Sequence, residues 1–67
     1  MKNNIKKVVQ EISNNKVHYH VTYKSGRKSS YTENDNLPDT VLYFILEGSN
    51  ATTKVTDFGT KTFFIES

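Results

Sequence analysis

The segment Val17-His18-Tyr19-His20-Val21-Thr22-Tyr23 alternates apolar and polar side chains with period two, and Lys24-Ser25-Gly26-Arg27-Lys28 then breaks the pattern. Period two puts successive side chains on opposite faces of a strand, so this stretch predicts a half-buried antiparallel strand entering a hairpin. A sheet with one apolar and one polar face must bury the apolar one against a second layer. That requirement constrains the fold more than any other feature of the chain.

The segment before it fits as a partner strand. Between Ile5 and Ile12, Val8, Gln10 and Ile12 share one face while Val9 and Glu11 share the other, and Ser13-Asn14-Asn15-Lys16 follows as a tight turn. Asn tolerates the positive φ that two-residue hairpin loops require. With Asn14 and Asn15 as the loop, Ile12 falls opposite Val17 and Val8 opposite Val21, so the apolar faces coincide around Tyr19. A helix over Lys6 to Ile12 is the rival reading, weakened by its short length and by the Asn-Asn break. After Tyr23, a three-residue Lys24-Ser25-Gly26 loop with Gly26 in the left-handed region sets Tyr31 opposite Tyr19 on the apolar face. A two-residue Ser25-Gly26 loop would instead leave Tyr31 on the polar face and set Lys24 against Arg27, where like charges repel.

Glu33 to Asn36 is a polar break, and Leu37 to Gly48 reads as one helix, with Asn36 as N-cap, Pro38 and Asp39 in the first turn and Gly48 as the stop. Leu37, Val41, Phe44 or Ile45, and Gly48 fall on one face of it. The apolar run Val41 to Leu46 would equally suit a buried strand, and the flanking caps favour the helix. Ser49 to Thr52 reads as a loop. Thr53 to Phe58 and Lys61 to Glu66 read as two strands around a Gly59-Thr60 turn, and Phe63 and Phe64 must point to opposite faces. The expected fold is a single α+β domain over residues 1–67: a small antiparallel sheet in β-β-β-α-β-β order with one helix packed across one face.

At 67 residues the chain is long enough for one domain. A domain of this size buries only about 60% of its unfolded surface, so its core is small. The sequence has no cysteine, which removes disulfides, thiolate zinc sites and cysteine nucleophiles together. The basic start Met1 to Lys7 leads into no apolar signal-like region, and no apolar run reaches membrane-spanning length; these points lead us to expect a cytoplasmic protein. Net charge is +2, carried by eight lysines and one arginine. Lysine is a solvated point charge rather than the planar fork used in bidentate recognition, so the balance favours solubility over base reading.

Few motifs carry chemistry. No nucleophile elbow or phosphate-cradling glycine loop is present, and Glu47, Asp57 and Glu66 have no spacing that pairs two carboxylates. We therefore expect no enzyme, no cofactor and no small-molecule substrate. His18 and His20 lie side by side on the polar strand face. They are a possible metal pair with Glu11 across from His18, but zinc asks for a third and fourth ligand, and polar alternation on an exposed strand is the simpler reading. Lys24, Arg27 and Lys28 surround a hairpin tip with Tyr23 and Tyr31 nearby, an arrangement able to touch phosphates and stack bases; Lys2, Lys6 and Lys7 extend it if they lie on the same side. The simpler reading is a solvated turn. Tyr43, with Phe63 or Phe64, is left over once a small core is full, and exposed aromatics are typical interface anchors.

The hairpin Tyr19-x-Val21-x-Tyr23-Lys24-Ser25-Gly26-Arg27-Lys28 followed by a helix resembles, over about half the chain, the three-strand-plus-helix DNA-binding domains at the amino end of tyrosine-family integrases. The resemblance implies a sheet set into the major groove, although the exposed set expected here is His18, His20, Thr22 and Ser29 rather than arginines. The first expectation is a non-enzymatic binding module, of the kind carried by phages and mobile elements as accessory or inhibitor proteins, acting on a protein partner or a second copy of itself. The alternative is a small nucleic-acid-binding domain using the hairpin sheet and the Lys24–Lys28 turn. The residues expected at the partner surface are His18, His20, Lys24, Arg27, Lys28, Tyr31, Tyr43 and Phe64.

Overall fold

The computed structural model describes residues 4–66. Five strands and one helix run in the order β1 (Ile5–Ser13), β2 (Lys16–Tyr23), β3 (Lys28–Thr32), α1 (Asp39–Glu47), β4 (Ser49–Thr56) and β5 (Gly59–Glu66). All strand pairs are antiparallel, and the sheet order is β3-β2-β1-β5-β4. This is the expected α+β fold.

The first hairpin closes on Asn14 and Asn15, with φ of 52° and 62°, the pair of left-handed residues that matches the twist of the flanking strands. Val8 stands opposite Val21 and Ile12 opposite Val17, as the alternation requires. A bulge at Lys6 shifts the register between Ile5 and Lys7. Strict alternation would turn Ile5 away from Val8; the extra residue returns it to the same face, where both are fully buried. The second hairpin uses the three-residue loop. Gly26 has φ of 96°, its N–H donates to the Tyr23 carbonyl, the Tyr23 N–H donates to the Arg27 carbonyl, and Tyr31 lies opposite Tyr19.

Three boundaries differ from the sequence reading. The helix begins at Asp39, not Leu37, because the residue before a proline is sterically excluded from helical backbone. Pro38, not Asn36, occupies the N-cap position, with no side-chain cap, and its carbonyl accepts from the Val41 and Leu42 N–H groups. Gly48 does end the helix, with φ of −122°, and the Ser49 hydroxyl donates to the Phe44 carbonyl there. Ser49 to Thr52 is not a loop but the first half of β4, paired with Phe63 to Glu66. The last turn is Asp57-Phe58, not Gly59-Thr60, and the Thr56 hydroxyl secures it by accepting from the Phe58 N–H and donating to the Gly59 carbonyl.

The helix connects β3 at one edge of the sheet to β4 at the other and lies across one face. Ile5, Val8 and Val21 from the sheet and Val41 and Phe44 from the helix form the buried core, with Tyr19, Tyr23, Tyr31, Leu37, Ile45 and Phe64 packed around it. Among the described residues, no element covers the opposite face. Among the described residues, no helix is long and apolar enough to cross a membrane.

Candidate functional site

Strand alternation and the four registers fix which side chains share the uncovered face. Its middle row reads across the sheet as Ser30, His20, Val9, Phe63 and Thr52. One flanking row holds Lys28, Thr22, Lys7, Ile65 and Asn50; the other holds Thr32, His18, Glu11, Lys61 and Lys54. The middle row is thus apolar and aromatic at its centre, with lysines on either side.

The charges on this face are lopsided. Among the strand residues of the face, Lys7, Lys28, Lys54 and Lys61 occur with one carboxylate, Glu11, and Asp35 adds a second at the β3 edge by accepting from the Thr32 hydroxyl. Glu11 is shared: one oxygen lies 3.4 Å from His20 Nε2 and the other 3.9 Å from Lys61 Nζ. Asp57 lines the depression beside the last turn, whereas Glu33 follows β3, Asp39 and Glu47 are on the helix and Glu66 ends β5. The Lys54 ammonium sits 5.8 Å from the centre of the Phe63 ring. An open depression of ≈ 720 Å³ beside the β4–β5 turn is lined by Glu11, Lys54, Lys61, Phe63 and the turn residues, and it continues this surface.

A second surface lies on the far side of the molecule. The helix turns only Val41 and Phe44 fully inward, so its run of six apolar residues leaves Leu42, Tyr43 and Leu46 outward at 41%, 63% and 77% exposure. These three sit at i, i+1 and i+4, side by side on the outer helix surface.

The expected site residues separate between these places. His18, His20 and Lys28 lie on the uncovered face; the His20 Nδ1 and the Ser30 hydroxyl are 3.4 Å apart. Lys24 at the second hairpin loop forms an ion pair of 2.9 Å with Glu66, and the Arg27 guanidinium lies 5.5 Å over the Tyr23 ring. Tyr31 and Phe64 face the helix side, opposite Tyr19 and Val8 respectively, and pack against the core. Burial, and then the Tyr23 hydroxyl beside it, push the Tyr31 phenol above its ordinary 10.0. Tyr43 stands on the outer helix surface. Ser29, expected among the exposed set, lies opposite Val21 on the helix side. Lys2 falls outside the described residues. The basic turn therefore lacks its expected stacking partner Tyr31, which is turned inward.

Sequence reasoning set Val9 beside Glu11 and left Phe63 as the alternative to Phe64, the ring it then chose; it missed Ile65, Lys54 and Lys61 on the uncovered face, and Leu42 and Leu46 on the helix. The adjacency of Phe63 and Phe64 did signal that one ring must face each way; only the pairing of β5 with β1 decides which. Among the described residues no group of three or more His, Asp or Glu side chains is placed to hold a metal ion. Comparison with family models, with curated proteins and with solved structures finds no match.

Proposed function

We propose that this chain is a non-enzymatic binding module that docks a protein partner through the outer face of α1. The observation that carries the reading is the triplet Leu42, Tyr43 and Leu46, exposed together on a helix whose apolar run exceeds what its own sheet can cover. A helix apolar on all sides normally lies inside a protein, so the outer surface of this one is suited to being covered by another. Leu46 adjoins both Leu42 and Tyr43, and an exposed aromatic ring beside aliphatic side chains suits an interface anchor. The scatter of ionisable side chains, with no paired carboxylates at one centre, supports binding rather than catalysis.

The test uses the full chain and its Leu46→Lys variant. Leu46 is mostly exposed, so the substitution should leave folding stability within about 0.5 kcal/mol. Sedimentation of the chain alone reports whether a second copy is the partner. Nuclease-treated pull-downs from the native host, followed by mass spectrometry, report any other protein. The expected result is an association, of either kind, that is lost in Leu46→Lys while the melting temperature holds. A monomer whose captured proteins are the same for both chains would refute the reading.

A further inference from the structure

We propose that the uncovered sheet face is a binding site for single-stranded nucleic acid, with Phe63 as its stacking platform. This proposal is independent of the helix surface, which lies on the other side of the sheet.

Three observations converge on this ligand. The first is charge complementarity. Lys7 and Lys28 border the middle row on one side and Lys54 and Lys61 on the other; against these four cations stand Glu11 within the face, Asp35 bonded to Thr32 at its β3 edge and Asp57 at the rim of the adjoining depression, while Glu33, Asp39, Glu47 and Glu66 lie elsewhere. In the register Lys7 stands opposite Thr22 and Ile65, and Lys28 opposite Thr22, so no cross-strand carboxylate neutralises them. The second is a π-surface among the charges. Phe63 is part-exposed on the face between Val9 and Thr52, and the Lys54 ammonium lies over its ring, so a stacking group and a cation are already side by side. Bases stack on an aromatic ring regardless of sequence, and lysines beside it take the phosphates.

The third observation is shape, which selects single strands over duplex. Five strands spaced at about 4.8 Å present a face about 19 Å across, wider than the roughly 12 Å major groove. The whole face cannot enter that groove, and Phe63 lies inside the face rather than on a projecting edge. A base reaches the ring only if it is already unstacked from a duplex, as in single strands. The open depression beside the β4–β5 turn extends the same surface past Lys54 and Lys61, giving the strand a continuation toward Phe58, which is 89% exposed.

The site differs from the basic turn that the sequence suggests. It is centred on β1, β5 and β4, shares only Lys28 with that turn, and its aromatic group is Phe63. Glu11 is the carboxylate nearest the centre of the face and opposes an anion there, with His20 and Lys61 beside it; Asp35 and Asp57 lie at its margins. Removing the Glu11 charge should therefore strengthen binding.

Fluorescence anisotropy on the full chain decides the matter, with labelled oligothymidine, oligouridine, a mixed-sequence duplex and heparin as probes over a range of salt. We expect binding of one or both single strands in preference to duplex; which of the two is tighter identifies DNA or RNA as the source. Phe63→Leu should weaken single-strand binding roughly 5- to 150-fold with the salt dependence unchanged, and leave heparin binding as it was. The double variant Lys54→Gln, Lys61→Gln should flatten the logarithmic salt slope by about 1.4, the contribution of two phosphates of a single strand. Glu11→Gln should bind more tightly, and Leu46→Lys should bind as the parent does. Absence of binding at low salt, equal affinity for duplex and single strand, or heparin bound with the same response to Phe63→Leu would overturn the proposal. If Phe63→Leu does not fold, the lysine pair, both exposed, decides by its salt slope alone.

Discussion

Replacing Gly59 by alanine brings a methyl carbon to 2.2 Å from the Ile12 carbonyl oxygen and to 3.1 Å from the Ser13 side chain. The first atom is backbone, fixed by the pairing of Ile12 with both Val17 and Thr60, so it cannot swing aside as a flexible side chain would. The residue also has φ of 147°, which side-chain-bearing residues rarely adopt. Backbone strain of that kind costs about 1–3 kcal/mol, and forcing extra volume into a packed site costs about 1–3 kcal/mol more. Gly59→Ala should therefore lose about 2–6 kcal/mol. A domain of this length has a total stability of about 3–10 kcal/mol, so the variant should sit at the edge of folding. Two further glycines provide internal controls. At Gly26 an added methyl meets nothing within 4 Å but φ is 96°, so only the backbone term of about 1–3 kcal/mol applies. At Gly48 the space is equally open and φ is negative, so alanine should be neutral or stabilising by up to about 1 kcal/mol. Urea unfolding followed by circular dichroism gives all three midpoints. The order of stability Gly48→Ala, then Gly26→Ala, then Gly59→Ala is the expected outcome. If Gly59→Ala matched Gly48→Ala, β5 would not approach β1 as closely as described here.

Phe44 is the largest of the five fully buried side chains, and Phe44→Ala should cost about 3–5 kcal/mol, enough to abolish cooperative melting or move it close to room temperature. The Tyr31 phenol is held above 10.0 in the folded state, so the folded chain keeps that proton where the unfolded chain releases it. This contribution is whole below about pH 10 and is lost as pH rises through the raised value; thermal melts should therefore fall in the alkaline range, and Tyr31→Phe should remove part of that fall. The Lys24–Glu66 pair is about half exposed on both sides, and Lys24→Met should change the unfolding free energy from urea titration by no more than about 1 kcal/mol.

Local rules located most of the architecture. The Asn14-Asn15 turn, the pairing of Val8 with Val21 and the Gly26 loop follow from alternation and from the conformations those residues tolerate. The failures share a cause, in that each depended on a strand distant in sequence. Gly59 reads as a turn residue when only its neighbours are considered, whereas its real constraint is the Ile12 carbonyl, which lies on β1. Thr- and Ser-rich β4 has no apolar alternation, because an edge strand beyond the helix need not bury either face, so its first half read as loop. The bulge at Lys6 was likewise hidden, since nothing in the run Ile5-Lys6-Lys7-Val8 marks it except that both apolar residues end up buried. The helix start is a different matter: the sequence carried the signal in Pro38, and an apolar periodicity through Leu37 outweighed it.

The same dependence explains why the candidate surfaces were only half visible. His18, His20 and Lys28 belong to the uncovered face through β2 and β3, which are local in sequence. Their counterparts on β5 and β4 join them only because β5 pairs with β1 after the helix has crossed the sheet. That crossing has two consequences for where binding can happen. It spends the single helix on one face, leaving Phe63 and the four lysines without a cover. It also asks a nine-residue helix to shield a five-stranded sheet, which takes up Val41 and Phe44 and leaves Leu42, Tyr43 and Leu46 outside. The two proposed surfaces are both exterior to the five-residue core, and they differ in kind. One is apolar; the other is cationic around a ring. A ligand suited to the first is a poor match for the second, because desolvating Lys7, Lys28, Lys54 and Lys61 against an apolar partner would cost more than the contact returns. Substitutions on one face should therefore leave binding at the other unchanged.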